Sequence, residues 1–288
     1  MMKKLILLFC SVLLAGWFSS CAKDEGTDEA PVSDVTVKLD MTNAPDDAVN
    51  DFTVFVFNED SLLVEKREYT EVNADALQTD VWTLEEGIYK FLVCTNVAGR
   101  FALEAEAESA NMENLLISTL SENVFDVHSH IGFAEVEAKM GVPVEQYIQM
   151  NRLLVDFQVS VKGLEEGATV EATLLNMYTG LYLGTLKYAA EVKEIYVGKA
   201  TDEALNGTVT FPRKVCMPTA GVAKFRLDIY EGEALKSSYE LPVVAFKNGG
   251  IYDVEADFSK SVPYVTINGI GINEWADGDD MNLGAGQL

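Results

Sequence analysis

Phe52-Thr-Val-Phe-Val-Phe-Asn-Glu-Asp-Ser-Leu62 is an apolar, β-branched and aromatic run that halts at turn residues and resumes at a leucine. That is the signature of a strand, a tight turn and a return strand. It lines up without gaps on Phe225-Arg-Leu-Asp-Ile-Tyr-Glu-Gly-Glu-Ala-Leu235. Each copy is followed by a Gly-Ile-Tyr strand start, at Gly87-Ile88-Tyr89 and at Gly250-Ile251-Tyr252. The glycine is expected to supply a positive φ at the turn, and the tyrosine to open the strand with a large ring. Two matched segments in the same order predict two domains of one β-sandwich type, joined near Tyr147 to Arg152.

The rest of the body keeps the same short period. Leu153 to Val161, closed by Lys162-Gly163, reads as a strand, as do Thr169 to Leu175, Ile251 to Phe258 and Tyr264 to Ile272. Short strands at this spacing define a mainly β protein of the sandwich class. Phe101 to Leu120 stands apart: its Ala, Glu, Leu and Met content favours a helix, with Leu103, Ala107, Ala110 and Asn114 on one stripe. A short helical insertion in the first domain is therefore expected.

The N-terminus reads as a leader. Met1-Met2-Lys3-Lys4 is basic, Leu5 to Phe18 is almost wholly apolar, and Ser19-Ser20 precede Cys21. Basic, apolar and small residues in that order make a secretory signal over residues 1–20. The apolar stretch is shorter than the ~20 residues of a membrane span, and Lys23-Asp24-Glu25 follows at once. Phe18-Ser19-Ser20-Cys21 resembles the bacterial lipobox, which makes Cys21 the acylated first residue of the mature chain. Lys23, Asp24 and Glu25 resemble the signal that sends Bacteroidota lipoproteins to the outer face of the outer membrane; a solvated acidic linker is the plainer reading. The expected organisation is an acidic linker over 21–34, one domain over 35–148 and another over 149–288.

Composition narrows the partners. The chain has 288 residues, 48% of them apolar, which is enough for a core. A formal net charge of −25 excludes a nucleic-acid binder, because phosphates demand Lys and Arg patches. With Cys10 in the leader and Cys21 acylated, only Cys94 and Cys216 remain, either as one disulfide or as two buried thiols.

Side-chain chemistry is sparse. His128 and His130 share one face of an extended segment and, with Asp126, form a weak metal clip; two buried or surface imidazoles are the commoner outcome. Asp277-Gly-Asp-Asp280 lacks the spacing of an EF-hand loop and reads as a solvated turn. Trp82 and Trp275 are either sugar-stacking platforms or ordinary packing residues. Asp60-Ser61-Leu62 resembles a Bacteroidota O-glycosylation acceptor at a hairpin tip. The sequence contains no phosphate loop, nucleophile elbow, zinc signature or dinucleotide fingerprint. Neither catalysis, a cofactor nor a bound metal is expected.

Taken together, the leader, the Phe-Val-Phe strand with its acidic turn, Gly87-Ile-Tyr-Lys-Phe91 and Asn151-Arg-Leu-Leu-Val-Asp-Phe-Gln-Val-Ser-Val-Lys-Gly163 carry a family likeness. So do Gly249-Gly-Ile-Tyr-Asp-Val254 and Ile267-Asn-Gly-Ile-Gly-Ile-Asn-Glu-Trp275. The chain resembles the fimbrillin-type proteins of Bacteroidota type V pili, and among them the FimB-like anchor subunits, which are surface lipoproteins. The resemblance implies two tandem transthyretin-like β-sandwich domains, fimbrial stalk subunits as partners, and assembly by exchange of a donor strand. It implies a non-enzymatic, surface-exposed protein tethered to the cell outer membrane by acyl groups on Cys21. Val35-Thr-Val-Lys-Leu39 has the alternation of a strand expected to close the first domain's edge. In stalk subunits of this family, cleavage after an early arginine removes that strand. Here no arginine of the body precedes Arg67, which lies inside a hairpin. Val265, Ile267, Ile270 and Ile272 are the candidate donor strand, against the plainer reading of a last strand and a frayed tail. A surface glycan-binding β-sandwich lipoprotein is the alternative function.

Overall fold

Burial on both faces explains why Asp51–Phe57 reads as an unbroken apolar run. Phe52, Val54 and Val56 enter one core, while Phe55 and Phe57 enter another on the opposite side of the sheet. Strands covered on both faces lose the polar alternation of half-solvated ones. The computed structural model describes residues 32–70, 72, 77–104, 111–120, 125, 127–259 and 263–271.

In the first half lie β1 (Val32–Asp40), β2 (Asp51–Phe57), β3 (Leu63–Thr70), β4 (Trp82–Glu85) and β5 (Gly87–Thr95). β6 (Phe101–Glu104), β7 (Leu116–Thr119), β8 (His130–Ala138), β9 (Val144–Gln149) and β10 (Asn151–Arg152) follow. The second half opens with β11 (Val155–Lys162), β12 (Thr169–Tyr178), β13 (Gly180–Tyr182), β14 (Lys187–Tyr188), β15 (Val192–Thr201) and β16 (Thr208–Thr210). It ends with β17 (Lys214–Cys216), β18 (Thr219–Glu231), β19 (Ala234–Ala245), β20 (Gly250–Asp257) and β21 (Tyr264–Gly271).

Sheet β4-β1-β9 and sheet β10-β8-β5-β2-β3 enclose the core that holds Val35, Val37, Val54, Trp82, Phe91 and Ile148. Sheets β16-β11-β20-β21 and β15-β12-β18-β19 enclose Phe157, Val170, Leu174, Phe225 and Val254 in the same way. The two pairs of sheets share one topology. Strands β1, β2, β3, β4, β5, β8 and β9 correspond in chain order, sheet position and direction to β11, β12, β15, β16, β18, β19 and β20. Even the parallel pair β1–β9 has its counterpart in β11–β20.

This duplication is out of phase with the sequence match. The match pairs β2 with β18, yet the counterpart of β18 in the sheet order is β5. Likewise β5 and β20, which share Gly-Ile-Tyr, sit in sheets that do not correspond. The matched residues therefore record a common local chemistry, a central strand feeding an acidic turn. The positive φ at the second turn belongs to Gly249 (+67°), and neither Gly87 nor Gly250 adopts one.

Phe101 to Leu120 is not a helix where it is described. Phe101–Glu104 and Leu116–Thr119 pair antiparallel, and β7 also pairs with β13 from the second half. Between them the described residues include a 3-10 turn, Met112–Asn114, whose N–H at Glu113 is capped by the Asn111 side chain. Ala107 and Ala110 lie outside the described residues, and tertiary pairing overrides a weak helix propensity at the others. The β6-β7-β13-β14 sheet thus draws on both halves of the chain. Beneath it, Phe55, Phe57 and Leu92 on the outer face of the β2–β5 sheet join Phe101, Leu115 and Ile117 in a core continuous with Phe157 and Phe225.

Candidate functional site: strand β1 and the strand edges

Strand β1 occupies the centre of its sheet, between antiparallel β4 and parallel β9. The expectation that Val35–Leu39 closes an edge is corrected by this pairing: the strand has neighbours on both sides. Val37 donates its N–H to Thr79 Oγ1 at 3.0 Å and accepts from Thr79 N–H at 2.9 Å, and Leu39 N–H donates to Leu77 C=O at 2.8 Å. Side chains of Val35 and Val37 are wholly buried and Leu39 nearly so. Each such side chain is worth roughly 1.5–3 kcal/mol of burial. Withdrawing β1 would open an apolar groove over Trp82, Phe91 and Ile148.

Arg67 lies in β3, paired with β2. Its guanidinium lies 3.8 Å from the centre of the Trp82 ring, donates Nε–H to Glu65 Oε1 at 2.7 Å, and donates from Nη1 to Val81 C=O at 3.0 Å. Trp82 is completely buried and meets Phe91 edge-on, so it is a packing residue and not a sugar platform. Trp275 lies outside the described residues.

At the other end, β21 pairs along its whole length with β20, from Gly250 opposite Gly271 to Asp257 opposite Tyr264. Val265 packs against the core and Ile267 is half-buried. Ile270 stands opposite Ile251, and Ile272 is outside the described residues. The start of the strand is pinned: Ser259 N–H donates to Asp257 Oδ1 at 2.8 Å and Tyr264 O–H to Oδ2 at 2.6 Å. These hydrogen bonds hold the Asp257 carboxyl well below the usual carboxylate range.

The two histidines are spent on structure. His130 is fully buried, with Nδ1 2.7 Å from Thr95 Oγ1 and Nε2 2.8 Å from Asp47 Oδ2. His128 turns to Asp156, 3.6 Å away, which also accepts from Arg213 at 2.7 Å. Among the described residues no group of His, Cys, Asp and Glu is arranged to hold a metal ion. Asp126 is outside them. Burial by itself would raise the Asp47 and Asp156 carboxyls, but His130 and Arg152 at the first, and His128 and Arg213 at the second, hold both below their ordinary value. Sequence reasoning missed Asp47 and Arg152, because 105 residues separate the partners.

Cys94 and Cys216 are free thiols in one buried cluster. Desolvation pushes Cys94 up to about 12 and raises Cys216 as well. Ser61 adopts φ +62° at the hairpin tip, where its Oγ accepts from Lys90 Nζ at 3.0 Å. Its carbonyl accepts from Met112 N–H at 2.9 Å. Cys21, Lys23, Asp24, Glu25 and 277–280 lie outside the described residues.

The fold defines a mainly β protein of the sandwich class, built from paired sheets. The chain belongs to the family of fimbrillin-A associated anchor proteins Mfa1 and Mfa2, whose sequence model matches residues 25–276. It is a non-enzymatic structural component of a cell-surface fimbria. No curated protein sequence matches it.

Among solved structures, the fimbrial anchor protein Mfa2 from Porphyromonas gingivalis is 14% identical, with 83% of this chain and 98% of that one covered at a TM-score of 0.58. A candidate polysaccharide-binding protein from Bacteroides thetaiotaomicron is 12% identical over 84% and 99%, at 0.60. A candidate adhesin from the same species is 14% identical over 85% and 99%, at 0.59. At these identities the likeness speaks for the fold alone. No helix among the described residues is long and apolar enough to cross a membrane.

Proposed function

We propose that this chain is the lipid-tethered anchor subunit of its fimbria, held at the outer face of the outer membrane by acyl groups on Cys21. Lys23, Asp24 and Glu25 then act as its surface-export signal, and fimbrial stalk subunits are its partners. Residues 35–148 and 149–288 are read as two tandem transthyretin-like domains, a reading the shared seven-strand topology supports. One observation carries the proposal: β1 begins eleven positions after Cys21 and is buried at the centre of its sheet. A tether attached ahead of a strand bonded on both sides would pass load to both of that strand's neighbours. A single acyl chain binds a membrane only marginally, at about 0.8 kcal/mol per buried CH₂, so several chains suit a load-bearing base.

In this reading Val265, Ile267, Ile270 and Ile272 form the donor strand offered to the adjoining stalk subunit, and β1 stays in place. The glycan-binding alternative is less favoured, because one of its two tryptophans, Trp82, is sealed in the core. The test is a Cys21→Ala chain expressed in cells that make the fibre. Loss of acyl labelling and shedding of whole fibres into the medium are expected. Fibres retained on the cell by the unacylated protein would sink the anchor reading. Deleting 281–288 tests the donor separately: fibre attachment should weaken while the monomer's unfolding midpoint stays unchanged.

A further inference from the structure

Apart from β10 and β17, which have no counterparts, the two sandwiches differ among the described residues in what lies beside β9 and β20. In the second, β20 has β11 on one side and β21 on the other. In the first, its counterpart β9 pairs with β1 alone, and among the described residues no strand lies along its outer side. The chain leaves β9 for β10, which pairs with β8 in the facing sheet.

The ladder shows which groups this edge offers. Val37 and Leu39 turn their main chain toward the segment leading into β4, and Asp40 C=O accepts from Met150 N–H at 2.9 Å on the other side. Alternate residues of a strand address the same neighbour. The main chain of Val144, Gln146 and Ile148 therefore faces β1, while that of Glu145, Tyr147 and Gln149 faces outward. The Tyr147 carbonyl accepts a 2.8 Å hydrogen bond from the Gln146 side-chain amide, a local partner that an arriving strand can replace.

Strand edges are ordinarily blunted with lysine, proline, a bulge or an inward-pointing charge. β9, Val-Glu-Gln-Tyr-Ile-Gln, has none of these, and the carboxylate of its one acidic residue, Glu145, is met by Lys38 at 2.7 Å. Apolar surface flanks it: Met140 is 63% exposed, Val142 48% and Tyr147 58%. A shallow hollow lined by Leu39, Met41 and Pro45 lies beside Tyr147.

We propose that the β9 edge is a docking site for a strand of a different subunit, running antiparallel to β9 with the alternating apolar pattern of β21. The second half of the chain specifies the occupant, since β21 fills the corresponding place beside β20 in that direction. The site rests on the fimbrial reading of the chain, and on neither the lipid tether nor the C-terminal donor.

The experiment uses the mature chain and a labelled synthetic peptide of residues 263–271, followed by fluorescence anisotropy. Tyr147→Pro and Gln149→Pro each remove an outward N–H while leaving the bonds to β1 intact, and proline is tolerated on edges. Both should weaken peptide binding by roughly tenfold or more, with an unchanged urea midpoint, whereas Tyr147→Ala, which keeps the outward N–H and loses only the ring, should weaken it less than Tyr147→Pro does. Equal binding by the proline variants, as exchange at β20 would produce, overturns the proposal; so does no binding at about 1 mM peptide. A dimer of the chain that Tyr147→Pro abolishes overturns the assignment to a different subunit. Peptide binding is independent of Cys21 acylation and fibre retention, so failure of the anchor reading is seen separately.

Discussion

Asp47 and Arg152 grip each other at two points, Nε to Oδ2 at 2.7 Å and Nη2 to Oδ1 at 2.6 Å, and His130 Nε2 stands 2.8 Å from the same Oδ2. The pair fastens the connection after β1 to the β8–β10 edge of the facing sheet. Only 9% of the Asp47 side chain and 14% of the Arg152 side chain reach solvent. Removing one partner leaves a buried charge alone, at a cost of about 3–5 kcal/mol. Asp47→Ala should lose that much in urea unfolding, and adding Arg152→Met should restore most of it. A single-mutant loss under about 1 kcal/mol would show that solvent already screens the pair.

Acid should unfold the protein through the same carboxylates. Asp47, Asp156 and Asp257 are all held below the ordinary aspartate value. A depressed carboxyl contributes stability above its unfolded pKa, near 4, and the contribution drains away as pH falls toward the folded value. The urea midpoint should be level between about pH 7 and 5 and drop steeply below about 4. Asp47→Asn should start lower at neutral pH and show a shallower acid limb. Equal slopes in the two proteins would remove Asp47 from this account.

Arg67 should resist an arginine-specific protease. Its peptide bonds belong to β3, and its side chain is stacked on Trp82 and bonded to Glu65 and Val81. Limited digestion of the folded chain should leave the bond after Arg67 intact and β1 attached to the body, as peptide mapping would show. Trp82→Ala deletes the platform and should cost about 3–5 kcal/mol while exposing the bond to cleavage. Rapid cutting after Arg67 in the parent chain would contradict the protection drawn from the stacking.

The thiols should be silent until the core opens. With Cys94 pushed up to about 12 by burial, and Cys216 raised in the same way, neither holds appreciable thiolate at neutral pH. Iodoacetamide should label neither residue in the native protein and both in urea without reductant. A requirement for reductant before labelling would reveal a disulfide.

Several elements were legible in the residues alone. The Phe52–Phe57 run, the Leu153–Val161 alternation and the acidic turns identify strands because their period and turn chemistry are local. The Phe101–Leu120 segment misled, since its composition favours a helix and its pairing with Gly180–Tyr182 is invisible along the chain. The sequence match between Phe52–Leu62 and Phe225–Leu235 pairs β2 with β18, whereas the sheet orders set β2 against β12 and β5 against β18. Of the candidate site, Val35–Leu39 was visible as a strand, but its central place was not. The Asp47–Arg152 grip left no mark in either residue's neighbours along the chain, because 105 positions separate the two.

By itself, the sequence determined a mainly β body, because strand periodicity and turn chemistry are written in adjacent residues. Tertiary structure decided which strand lies beside which. Ser33 Oγ, for example, donates to Val142 C=O at 2.6 Å across 109 positions. Main-chain hydrogen bonds in a sheet join residues that no local pattern connects, so β1 is central, and β9 paired on one side only among the described residues, for reasons only the folded chain contains.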